Sequence, residues 1–241
     1  MSATAKAFQH GIWSETAHLY RQKLLLILTI VSGFLALEIF EQIGGHSFGS
    51  NVSTIAWAVL AISVHGTILN GSEQVFPKSR GVFVPFLWRT FALAIPGFSI
   101  AIIALMMMNS ASELAVLAML PIYGLVTALF LSLVGTWLPA VVADGGDRSL
   151  VAALRRGQHT FWYTLVRLLA GCGTILTSAF VGVVWLTTAA ENWGWGARTV
   201  GTVSPFVLVT AAASYLVIAF AFVMLPVILS RAYLLAEKSR S

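Results

Sequence analysis

Charge is scarce in this chain, and its scarcity excludes a good deal. Only 10% of the 241 residues are Asp, Glu, Lys or Arg, against about 25% in an ordinary soluble domain. A water-exposed globular surface is therefore excluded for most of the sequence. The one cysteine, Cys172, excludes an intrachain disulfide and leaves no redox-compartment signal. HExxH, P-loop and paired-cysteine motifs are all missing, so zinc-hydrolase, nucleotide and dithiol chemistries have no local signature. Residues 1–23 are polar and mixed, and no small-residue cleavage site follows the first apolar run, which is expected to stay as a transmembrane helix.

What the chain does have is length in its apolar runs. Six stand out, at 24–43, 52–70, 84–108, 114–138, 161–189 and 204–230. A hydrocarbon core of roughly 30 Å needs about 20 helical residues at about 1.5 Å rise each. The expected fold is all-α: a single integral membrane domain, 1–241, with six membrane-spanning helices. Of the 14 Lys and Arg residues, all but Arg198 then fall on one side. Because orientation follows Lys and Arg in short loops, both termini are expected in the cytoplasm. The sequence pI near 9.7 would suggest nucleic acid for a soluble protein. Here the basic residues flank apolar helices, so anionic lipid headgroups are the expected partner, with no nucleic acid.

Aromatic and basic residues cluster before each odd-numbered span. Phe8 to Trp13 continues to Tyr20-Arg21-Gln22-Lys23; Lys78-Ser79-Arg80 continues to Trp88-Arg89; and Ala153-Leu154-Arg155-Arg156 continues to Phe161-Trp162. Such stretches suit amphipathic helices lying in the headgroup plane. The fourth and sixth spans both end in Leu-Pro, at Leu138-Pro139 and Leu225-Pro226. A threefold duplication and chance similarity between apolar segments both fit. Gly124, Ala128, Ser132 and Thr136, with Thr174, Ser178 and Gly182, form small-residue stripes that allow close helix approach, to each other or to a partner.

Polar residues at membrane depth are the candidate functional set. Glu38 and Glu41 share a helical face and, with His46, offer oxygen and imidazole ligands; the simpler reading is two carboxylates reaching the aqueous boundary. Glu38 lies roughly 22 Å from the cytoplasmic edge and His65 roughly 9 Å, so no Glu-His relay is expected. His65, Arg89 and Arg167 fall at similar depth. Facing inward they form a cationic collar for a lipid phosphate or anionic solute; facing outward the arginines snorkel to headgroups. With Arg155 and Arg156 they complete the lipid- or anion-binding candidates. Asp144-Gly145-Gly146-Asp147 reads as a turn, with Asp147 or Ser149 capping the next helix.

The stretch Leu138-Pro139-Ala140-Val141-Val142-Ala143-Asp144, then Ala153-Leu154-Arg155-Arg156, then Phe161-Trp162, resembles a broad group of bacterial six-helix membrane proteins. These are the YciC-like proteins and the membrane domain found beside some glycerophosphodiester phosphodiesterases. The resemblance implies a stand-alone integral membrane protein of the bacterial inner membrane; the phosphodiesterase domain itself is not in this sequence. The expectation is a non-enzymatic protein without metal or cofactor that binds lipid, a membrane-protein partner or a second copy of itself. The alternative is a transporter or channel for a small or lipid-like solute.

Overall fold

The structure is a computed structural model, and it describes residues 11–44, 49–71, 81–107, 113–143, 147–195 and 204–239. Everything regular in these residues is helical. In chain order they form α1 (Ile12–Gln22), α2 (Leu24–Gly44), α3 (Gly49–Asn70), α4 (Phe83–Met107) and α5 (Glu113–Val134). A 3-10 turn, Gly135–Trp137, leads into α6 (Pro139–Val142). The amphipathic α7 (Leu150–Arg167) continues through a π-helical segment, Leu168–Gly173, into α8 (Thr174–Asn192). The long α9 (Pro205–Lys238) ends the fold.

Among the described residues, five stretches have the length and apolarity to cross a membrane: Leu24–Ile43, Ser53–Asn70, Pro121–Val142, Leu150–Asn192 and Pro205–Lys238. The run at 84–108 falls in α4, a 25-residue helix whose described apolar part, Phe83–Ser99, is shorter. Gly71 and Gly194 stand directly after α3 and near the end of α8, with φ of 62° and 66°. That left-handed backbone stops a helix cheaply only in a residue without a Cβ.

The interfacial entries are not three equivalent elements. Among the described residues, α1 is a separate amphipathic helix, broken from α2 at Lys23, while Lys78-Ser79-Arg80 of the second entry lie outside the described residues. The third entry is joined to its span through the π-helical segment, with no turn between them. There Gly171 lets α9 come close: a Cβ on it would stand 2.5 Å from Met224 Sδ. The Leu-Pro pairs differ as well. Pro139 opens α6 after α5 has ended, whereas Pro226 lies inside an unbroken α9.

Packing centres on the second half of α9. Val223 and Val227 join Ile27, Val31, Phe34, Trp57 and Leu60 from α2 and α3. Leu229 joins Ile62, Phe86, Val134 and Val141 from α3 to α6. Met224 and Ile228 meet Ala128, Leu165 and Cys172 from α5, α7 and the π-helical segment. A helix apolar on every side belongs at the centre of a bundle. Burial continues through Ser230, Arg231, Ala232, Tyr233 and Ala236, so the core extends into the end of the bundle where polar side chains collect.

Candidate functional site

That polar end is built around the close of α5. The chain leaves helical geometry at Gly135, where a Cβ would stand 2.8 Å from Leu229 Cδ2. Two residues earlier α5 meets α7 backbone to backbone, because Gly157 lies directly against the Leu133 carbonyl and has no space for a side chain. The last carbonyls of a helix lack intrahelical donors and carry partial negative charge. Two guanidinium groups supply the donors here. Arg89 donates to Trp137 O at 3.1 Å, and Arg156 donates to Thr136 O at 3.4 Å.

Each arginine then ties down the segment leading to α7. Arg89 Nη2 donates to Arg148 O at 2.9 Å, Trp137 Nε1 donates to the same carbonyl at 2.9 Å, and the guanidinium stacks 4.7 Å over the Trp137 ring. Arg156 also donates to Asp147 O. Its Nε lies 3.0 Å from Glu237 Oε1 and its guanidinium 4.9 Å from the Tyr233 ring. Thr136 Oγ1 donates to Ala153 O at 3.2 Å, and Asn70 Nδ2 to Val142 O at 3.1 Å. Of the turn expected at Asp144 to Asp147, residues 144–146 lie outside the described residues; of the two expected caps, Ser149 caps α7, its Oγ accepting from Ala152 N at 3.1 Å, while Asp147 Oδ1 accepts from Ser149 N at 2.8 Å.

A second ion pair joins Arg231 of α9 to Glu15 of α1, with Tyr163 of α7 beside the same guanidinium. It fixes the N-terminal helix on the bundle together with Tyr20, whose hydroxyl donates to Leu216 O at 3.1 Å. Burial of the ring holds the Tyr20 pKa above its ordinary value.

His65, Arg89 and Arg167 do not converge. His65 is enclosed, its Nδ1 2.7 Å from Ser230 Oγ and its ring edge-on to Phe86. Serine and histidine at this distance resemble a nucleophile and its base, but both are sealed in the core, and His65 Nε2 has no hydrogen-bond partner to orient it. Arg89 is occupied with α5 and Arg148 as above. Arg167 is exposed and lies 3.8 Å over the Tyr163 ring, the outward alternative. The adjacent Arg155 and Arg156 diverge: Arg155 is exposed, while Arg156 is the largest of the fully buried side chains.

The small-residue stripes divide in the same way. Ala128, Ser132 and Thr136 are buried, but Gly124 is exposed with nothing within 4 Å of a Cβ built on it. Thr174 and Ser178 point out of the bundle, and Gly182 has the same open space as Gly124. So α5 packs against α7 through Gly157, not against α8 through the two stripes. Glu38 and Glu41 are half-buried, and His46 lies outside the described residues. Among the described residues no three His, Cys, Asp or Glu side chains are grouped to hold a metal ion. Glu15, Glu237 and Gly157 are the structural residues that sequence reading missed. The only signal for the first two was an excess of arginine on one side needing carboxylate partners.

No family model, no curated protein and no solved structure matches the chain.

Proposed function

We propose that the protein is a non-enzymatic, six-span protein of a bacterial-type inner membrane, with both termini cytoplasmic, that organises lipid or protein partners. The observation that carries this reading is how the polar residues at membrane depth are used. Arg89, Arg156, Asn70 and His65 are each bonded to neighbouring helices. A transport path would need them free along one route. The outward faces, by contrast, are large and apolar, with Phe40 and Ile43 on α2 and Phe180, Val181 and Trp185 on α8. The Leu138 to Trp162 resemblance to six-helix bacterial membrane proteins agrees with this reading.

Purification in mild detergent followed by native mass spectrometry tests it. Retained phospholipid or a retained protein subunit is the expected result. A bare monomer that instead moves a solute across vesicle membranes overturns it. Orientation is tested separately by alkaline phosphatase fused after Arg240, which is expected to be inactive; an active fusion overturns the topology.

A further inference from the structure

A pocket of about 350 Å³ opens at the start of α7, and its lining is unlike the rest of the bundle. Asp147 and Ser149 line it together with Arg155, Gln158 and His159. Arg155, Gln158 and His159 are spaced three and four apart, so they are neighbours on one helical face. All three are exposed. None has a hydrogen-bond or ion-pair partner among the described residues, in contrast to Arg89 and Arg156 one helix face away.

The surroundings place this pocket at a lipid surface. On the same exposed side of α7 stand Leu150, Val151 and Leu154 before the polar turn, and Trp162 and Val166 after it. A helix facing bulk water would not display that series. One lying among headgroups would, with Trp162 at the boundary. The volume suits a headgroup and not a whole lipid, since drug-sized pockets begin at roughly 300 Å³.

The charges select the headgroup. A guanidinium and an imidazole with an amide beside them suit a phosphate. Asp147 in the same lining disfavours a ligand that is only anionic, and it suits an ammonium attached to that phosphate. Its carboxylate is held in place by the bond from Ser149 N. The Ala152 amide is already taken by Ser149 Oγ, so side chains must do the holding. A trimethylated ammonium has no N–H to donate and is usually met by the faces of Trp, Tyr or Phe; the pocket lining contains none of these.

The geometry points to a binding site for a phosphoethanolamine lipid headgroup, its phosphate on Arg155, Gln158 and His159 and its primary ammonium on Asp147. This inference rests on the lipid-binding reading above and gives it a particular lipid. The full chain in mild detergent is titrated with phosphatidylethanolamine, phosphatidylglycerol and phosphatidylcholine of equal chain length, and bound lipid is read by native mass spectrometry. The expected result is about tenfold preference for phosphatidylethanolamine, equivalent to about 1.4 kcal/mol. Asp147→Asn keeps the oxygen that accepts from Ser149 and is expected to bring the ethanolamine-to-glycerol ratio near one. Arg155→Gln with His159→Gln, at exposed positions without internal partners, is expected to lower both lipids together. A ratio unchanged by Asp147→Asn, or a wild-type preference for phosphatidylglycerol, overturns the site while leaving general lipid binding intact. A chain that retains neither lipid nor subunit overturns the lipid-binding reading as well.

Discussion

Arg156 of α7 and Glu237 of α9 lie 3.0 Å apart, with the arginine side chain wholly enclosed and the glutamate 39% exposed. The glutamate can therefore hydrate when left alone, and the arginine cannot. Removing either partner of such a pair is not equivalent. Arg156→Ala also strips donors from Thr136 O and Asp147 O. An orphaned buried acceptor costs about 1–3 kcal/mol, so roughly 3 kcal/mol of stability and most of the folded yield in detergent should be lost. Arg156→Lys should recover only a part, because one ammonium on a flexible stem does not reproduce a planar fork reaching several acceptors. Thermal unfolding followed by size-exclusion chromatography reads both. Full rescue by lysine would contradict this account.

Gly157 makes a sharper test of how α5 and α7 meet. Its neighbour is the Leu133 backbone, which cannot rotate away as a side chain would. Gly157→Ala must push the helices apart, at a cost of about 1–3 kcal/mol typical of overpacking. Gly124→Ala and Gly182→Ala meet open space and should change stability by less than about 1 kcal/mol, with helix propensity favouring alanine. Melting temperatures of the three variants should rank accordingly. Equal melting temperatures would remove Gly157 from its place as the point of closest approach.

That contrast marks where sequence reading stops. Long apolar runs give helices directly, because spacing and length are local properties, and the Ser149 cap is legible for the same reason. Which small residue is at a contact depends on which helices are neighbours, and the four-residue rhythm of Gly124 to Thr136 is identical whether it meets a helix or lipid. Depth along a helix was countable for His65, Arg89 and Arg167, but rotation about the axis was not. Depth therefore suggested a collar, and rotation dispersed it. Glu15 and Arg231 come from opposite ends of the chain, and no local pattern links them. Arg155 and Arg156 are adjacent in sequence and chemically alike, yet a rotation of about 100° per residue puts one outside and the other in the core.

Arg89 and Arg167, similar in depth, are expected to respond differently to substitution. Arg89→Gln removes donors from Trp137 O and Arg148 O and the stacking on Trp137. Each neutral-carbonyl bond to a charged donor contributes about 1.5–3 kcal/mol, reduced here by partial exposure, so a loss near 2 kcal/mol is expected. Arg167→Gln gives up a stacking contact between an exposed guanidinium and half-buried Tyr163, worth about 0.5–1 kcal/mol at an exposed site. Thermal unfolding in one detergent separates the two. Equal losses would restore a shared role for the pair.

Docking of α1 should depend on pH in the alkaline range through Tyr20. Its hydroxyl donates to Leu216 O, and its ring leans on Phe220 at 5.4 Å between centroids. Burial raises its pKa above the usual value of 10.0, so the folded state favours the protonated phenol relative to the unfolded chain. Stability from this group is then fully present below about pH 10 and is lost as pH rises through the raised folded value. Tyr20→Phe lacks both the bond and the titration. Wild type should exceed it by at most about 1 kcal/mol at neutral pH, and the gap should close as pH rises through the raised folded value. Paired unfolding curves from neutral to alkaline pH measure the gap directly. A difference that stays constant across that range would mean the phenol does not hold α1 through its proton, leaving Glu15 and Arg231 as the polar attachment of the N-terminal helix.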